Sequence, residues 1–88
     1  MKHIELPEDY AIVLQQVHEA GEEDFTMLAE SLRFSRQRLA HIIESLQRKG
    51  LILVRRSTYS EAWIRLSGKG QRVIRSLWPE AHVEPAAP

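Results

Sequence analysis

The stretch TMLAESLRFSRQRLAHIIESLQRKGLI, residues 26–52, decides the fold of this chain. It reads as a short helix, a tight turn and a longer helix that stops at Gly50. Ser35 suits the start of the longer helix, because its hydroxyl can accept a hydrogen bond from a free N–H of the first turn. The apolar stripe that faces the core consists of Leu39, Ile42, Ile43 and Leu46. This spacing predicts a helix-turn-helix, whose second helix is shaped to enter the major groove of DNA.

The shorter helix of this unit is expected to begin at a cap formed by Thr26. Arg33 and Phe34 form the predicted turn between the two helices, with Phe34 as its anchor in the core. The buried side of the shorter helix is predicted to consist of Met27, Leu28, Ala29 and Leu32.

Sequence patterns on both sides extend this unit into a complete domain. A helix is predicted over residues 7–20, with Gly21 as its left-handed stop, and Phe25 is consistent with a very short strand. Strands are predicted over residues 51–56 and 62–66, and Ser67 caps a last helix that Pro79 ends. The order is helix, short strand, helix, helix, strand, strand, helix. It predicts a mainly α winged helix-turn-helix domain with a small β-hairpin as the wing.

Composition limits the class of protein. With 43% hydrophobic and 27% charged residues, residues 1–78 are expected to form one globular domain, and residues 79–88 a disordered tail. There is no cysteine, which excludes disulfides and thiolate metal sites. No apolar run approaches the roughly 18 residues of a membrane span. We therefore expect a cytoplasmic protein, associated with the nucleoid and not with a membrane.

Charge is unevenly distributed along the chain, although the formal net charge is zero. Residues 1–30 hold one basic and eight acidic side chains, whereas residues 31–78 hold eleven basic and two acidic ones. A molecule polarised in this way can present one face to a polyanion and keep the other face away from it. The basic half coincides with the predicted helix-turn-helix and wing.

At the level of motifs, LAESLRFSRQRLAHIIESLQRKGLI resembles the helix-turn-helix of MarR-type winged-helix transcription regulators. The shared features are Leu28-Ala29 at the start, Ser35 before the second helix, and the segment 46–52 that leads into the wing. Leu66-Ser67-Gly68-Lys69-Gly70 is similar to that family's entry to the next helix, and the resemblance covers roughly residues 10–78. It implies a DNA-binding transcription regulator.

The resemblance has a limit in length. MarR-type regulators usually carry extra terminal helices that form the dimer and the effector pocket, and this chain has little room for them. A small-molecule effector is therefore not supported, and a homodimer is left open.

The candidate DNA contacts lie on the second helix and on the wing. Gln37 is the best candidate to read a base, because its amide can bond adenine through two atoms. Arg36 and Arg38 are suited to guanine or phosphate, and His41 lies one turn further along the outward side; each of them also fits a solvated surface. The full set is Ser35, Arg36, Gln37, Arg38, His41, Arg55, Arg56, Tyr59 and Arg65.

Two tryptophans are candidates for contact with a partner. If Ile64 and Leu66 point inward, Trp63 points outward and marks a partner surface; a register shifted by one residue would bury it instead. Trp78 fits either a homodimer contact with the first helix or the closure of the core.

The sequence lacks the motifs that are typical of enzymes. It contains no glycine-rich phosphate loop and no nucleophile with a paired base, and its four histidines are scattered. We therefore expect neither an enzyme nor a cofactor. Two functions stay open: a DNA-binding regulator, favoured by the basic second helix, and a winged helix for protein–protein docking, favoured by the zero net charge.

Overall fold

A computed structural model describes residues 6–56 and 62–77 of the chain. Within these ranges the elements are α1 (Glu8–Ala20), β1 (Glu23–Asp24), α2 (Phe25–Leu32), α3 (Arg36–Arg48), β2 (Ile52–Arg56), β3 (Ala62–Leu66) and α4 (Gly68–Leu77). The predicted order of helices and strands, and with it the mainly α winged-helix class, is confirmed. The predictions for Tyr59, Trp78 and the tail 79–88 fall outside the described residues.

The three strands form one antiparallel sheet in the order β1-β3-β2. β3 pairs on one side with β1, where Asp24 lies opposite Trp63, and on the other side with β2, where Val54 lies opposite Ile64. Ile64 and Leu66 are buried, and Arg65 between them is exposed. The predicted inward face of this strand is therefore confirmed.

The core is apolar throughout the described residues. No polar or charged side chain there is buried, and the stripe of α3 is buried as predicted. α1 contributes three fully buried side chains and packs against the sheet and the other three helices. None of the helices in the described ranges is long and apolar enough to cross a membrane. The buried side chains belong to Val13, Leu14, Val17, Leu28, Ala29, Leu39, Ile42, Ile43, Leu46, Leu51, Ile52, Ile64, Leu66, Val73 and Ile74.

The start of α2 differs from the prediction. The helix begins one residue earlier than Thr26, and its cap is Asp24, whose carboxylate accepts from Met27 N at 3.2 Å. An aspartate is a strong cap because its charge also interacts with the positive end of the helix dipole. Met27 was wrongly predicted to be buried and is 52% exposed. It lies about 100° back from Leu28, on the far side from Ala29, so it points away from the core.

The turn between α2 and α3 is made without a glycine. Arg33 adopts the left-handed conformation at φ 60°, and the Phe34 N–H donates to Ala29 O at 3.1 Å. A non-glycine residue in this region costs about 1–2 kcal/mol. Phe34 is half-buried against the core, which supports the tight turn as predicted.

The start of α4 fixes the end of α3 and the base of the wing. Ser67 caps α4 as predicted, because its Oγ accepts from Gly70 N at 2.9 Å and also donates to Gly50 O at 2.6 Å. Lys69 Nζ donates to Lys49 O at 3.1 Å. These contacts satisfy carbonyl groups that the end of a helix otherwise leaves free. They set the position of α3 relative to the hairpin.

Candidate nucleic-acid interface

The outward side of α3 carries four exposed side chains on the face opposite its buried stripe. We call Gln37, His41, Glu44 and Arg48 the outer ridge. Leu39, Ile42, Ile43 and Leu46 hold the helix to the core, so the ridge is fixed on a rigid element. A polar, exposed ridge on a well-packed helix can insert into a groove without the helix having to unfold.

On one flank, α3 is tied to α1. The Arg38 guanidinium lies over the Phe34 ring, 4.6 Å from its centroid, and forms an ion pair with the Asp9 carboxylate. Further along, the Tyr10 hydroxyl donates to Ser45 Oγ at 3.2 Å. These contacts orient α3 against α1, and they place Arg38 at the edge of the ridge.

On the other flank, the N-terminus of α3 is tied to the N-terminus of α2. Arg36 donates through Nη1 to Thr26 Oγ1 at 3.0 Å, and its guanidinium lies 5.1 Å from the centroid of the Phe25 ring. The partners of Arg36 are thus a neutral hydroxyl and an aromatic face. Its positive charge is retained at the surface.

An open groove of about 770 Å³ separates α3 from the hairpin. Its sides bear two arginines, Arg36 from α3 and Arg56 from β2, and two acidic side chains, Asp24 and Glu44. The groove is lined by Asp24, Phe25, Thr26, Arg36, Ala40, Ile43, Glu44, Gln47, Val54, Arg56, Ala62 and Ile64.

The three wing arginines lie on two faces of the sheet. Side chains alternate along a strand, so Arg56 points with Val54 toward α3, whereas Arg55 points the other way. Arg65 shares the face of Arg55, and that face also carries Leu53, which is 46% exposed. Arg55 donates to Glu22 at 3.1 Å. All three arginines were predicted from the sequence to be DNA contacts on the wing. Of the three, the structure brings only Arg56 to the side that faces α3.

Trp63 lies on the outer face of the wing, beside Leu53 and Arg55. It is half-buried, so it is neither freely exposed nor part of the core. Of the two registers that the sequence left open, the structure has the one that points Trp63 outward.

Ser35 caps α3 as predicted, with its Oγ accepting from Arg38 N at 3.0 Å. Two other residues of the candidate site were not indicated by the sequence. Asp9 and Glu22 reach arginines 29 and 33 residues away, and a one-dimensional pattern carries no signal for such pairs. The residues described also contain no group of three or more side chains suited to hold a metal ion.

No protein-family model matches the sequence, and a search of curated proteins also found no match. Solved structures do match. The PcaV transcriptional regulator from Streptomyces coelicolor, in complex with its natural ligand, has a TM-score of 0.77 at 23% identity over 94% of this chain. AbsC, a MarR family transcriptional regulator from the same organism, has a TM-score of 0.75 at 18% identity, also over 94%. The chain has the winged-helix fold of MarR-type regulators.

A third match was solved with nucleic acid. Streptococcus pneumoniae FabT in complex with DNA has a TM-score of 0.76 at 19% identity over 91% of this chain. The chain spans 64% of the PcaV and AbsC chains and 59% of the FabT chain. At these identities the similarity establishes the winged-helix fold and not the function.

Proposed function

We propose that this chain is a DNA-binding transcription regulator. In this proposal α3 enters the major groove and the wing contacts the adjacent backbone or minor groove. The observation that carries the proposal is the outer ridge, an exposed polar stripe on a rigid helix with Arg36 and Arg38 at its N-terminal end. Arginine side chains and the free N–H groups at a helix N-terminus are groups that commonly bind DNA phosphates.

Within the ridge, Gln37 is the residue proposed to read sequence. It is exposed in the first turn of α3, where a recognition helix approaches the base edges, and its amide matches the two hydrogen-bonding atoms of adenine. His41 follows one turn later on the same side. Arg36 and Arg56 face each other across the groove between α3 and the wing, and we assign them to phosphates on the backbone that would run there.

A docking function is the second candidate, and one observation favours it. The outer face of the wing presents Leu53 and the half-buried Trp63 together, an arrangement suited to contact with another protein. This face lies on the opposite side of the sheet from α3. Loss of Leu53 would therefore affect docking and leave DNA binding by the ridge unchanged.

Fluorescence anisotropy with a labelled duplex of mixed sequence, measured at two salt concentrations, tests the proposal. Binding is expected to weaken steeply with salt, because each neutralised phosphate contributes about 0.9 to the slope of log affinity against log salt. Arg56→Ala should lower the affinity and the slope. Arg75→Ala is the matched control, because it removes an exposed arginine from α4, which packs against α1 and β3. No binding at low salt, or equal losses from both variants, would refute the assignment.

A further inference from the structure

Two exposed arginines are each paired with a carboxylate from the acidic N-terminal part of the chain. Asp9 of α1 pairs with Arg38 on the flank of α3, and Glu22, just before β1, pairs with Arg55 on the wing. These are the ion pairs that the structure shows among residues 6–56 and 62–77. Arg38 lies at the edge of the outer ridge, whereas Arg55 points to the face of the sheet away from α3. Of the two pairs, the Asp9–Arg38 pair is therefore the one at the proposed interface.

Both pairs are open to solvent. The arginine side chains are 52% and 64% exposed, and each carboxylate partner is 37% exposed. An exposed pair is a weak interaction that salt screens, so it adds little to folding stability. It also leaves the guanidinium accessible to another oxyanion. A phosphate group offers the same kind of acceptor oxygens as a carboxylate and would compete for the same N–H donors.

From this arrangement we propose that Asp9 is an intramolecular competitor of the DNA backbone for Arg38. This inference rests on the proposed function. While the carboxylate holds its arginine, the arginine contributes less to the attraction between the chain and any duplex, whatever its sequence. Asp9 thus lowers sequence-independent affinity, and a larger share of binding then depends on base contacts made by the outer ridge.

The other contact of Arg38 sharpens this inference. Arg38 remains stacked on the Phe34 ring if Asp9 loses its charge, because that contact does not involve the carboxylate. Its guanidinium would stay at the edge of α3 and be available to a phosphate. Arg36 provides the internal contrast, since its partners are the Thr26 hydroxyl and the Phe25 ring and neither competes as an anion.

The test measures the affinity of Asp9→Asn and Glu22→Gln variants for a labelled duplex of mixed sequence across a salt series. Asp9→Asn is expected to bind roughly two- to fivefold more tightly than the wild type, which is the range set by the strength of an exposed pair. Its log–log salt slope should steepen by up to about 0.9 for the arginine released. Glu22→Gln should gain less, because the arginine that it releases points away from α3. Glu8→Gln is the matched control, because Glu8 neighbours Asp9 in the first turn of α1, is exposed, and forms no ion pair within the described residues.

Adding Arg38→Ala to Asp9→Asn should abolish the gain, since the gain acts through that arginine. The inference is overturned if Asp9→Asn binds no more tightly than the wild type, or if Glu8→Gln or Glu22→Gln gains as much as it does. Thermal melting of each variant shows that it is folded at the assay temperature. If neither the wild type nor any variant binds duplex DNA, the proposed function is refuted and this inference with it.

Discussion

Gly70 lies in the first turn of α4 at a point where the helix touches the backbone of the segment between α3 and β2. A Cβ atom added to Gly70 would lie 2.0 Å from Leu51 O and 3.4 Å from a methyl carbon of Leu66. Carbon and oxygen do not approach within 3.0 Å in such contacts, so α4 would have to move by about 1 Å. Gly70→Ala is therefore the substitution that most directly tests the junction between α3, the wing and α4.

The cost of Gly70→Ala can be worked out from the contacts at the junction. Moving the helix introduces overpacking, which costs about 1–3 kcal/mol. It also weakens the bond from Ser67 N to Leu51 O, 3.0 Å long, and the bond from Ser67 Oγ to Gly50 O, each worth about 0.5–1.5 kcal/mol. Alanine offsets up to about 1 kcal/mol of this loss of stability, because its helix propensity is higher than that of glycine. The net loss is expected to be about 2–4 kcal/mol, which lowers the melting temperature of a domain of this size by about 10–30 °C.

Thermal and urea denaturation followed by circular dichroism measure this loss. Gly68→Ala is the matched control, because its added Cβ would meet only the end of the Arg72 side chain at 3.9 Å. The control should be at least as stable as the wild type. If Gly70→Ala melted within about 3 °C of Gly68→Ala, a change worth less than about 1 kcal/mol, the close approach of α4 to Leu51 would be wrong.

Three further substitutions test α3 itself. Ser35→Ala removes the acceptor for Arg38 N and should cost about 0.5–2 kcal/mol in urea denaturation, while Ser31→Ala on the exposed side of α2 should cost less than about 0.5 kcal/mol. Gln37→Ala should leave the fold intact and flatten the preference at one base position in a selection from randomised duplexes; an unchanged preference would remove Gln37 as the reader. Arg36→Ala should weaken binding to all duplexes and lower the salt slope by about 0.9, and a loss confined to one sequence would instead identify Arg36 as a base contact.

Local patterns were sufficient to predict most of the fold. Helical periodicity located the buried stripe of α3, and alternation in β3 placed Ile64 inside, because both patterns reflect which side of a single element meets the core. The cap at Ser35 and the stop at Gly21 follow from chemistry within a few residues of each position. The cap of α2 was misplaced because Asp24 and Thr26 are both good caps by residue type, and the structure shows Asp24 in that role.

The candidate site was less predictable, because it depends on which elements meet in space. The sequence identified the basic residues of α3 and the wing. It could not show which of Arg55 and Arg56 points toward α3, nor that Asp9 and Glu22 reach across to Arg38 and Arg55. Such contacts depend on the packing angle of α1 and on the register of the hairpin, and each is fixed by many weak contacts.

The most direct test of the central claim is a titration of the ¹⁵N-labelled chain with a mixed-sequence DNA duplex, followed through amide chemical shifts at low salt. If α3 and the wing bind DNA, the largest shifts should occur in residues 35–48 and on the strand residues that face α3, such as Val54 and Arg56. The amides of residues 71–76 in α4 should change little. Shifts confined to α4, or no shifts at any DNA concentration, would contradict the account.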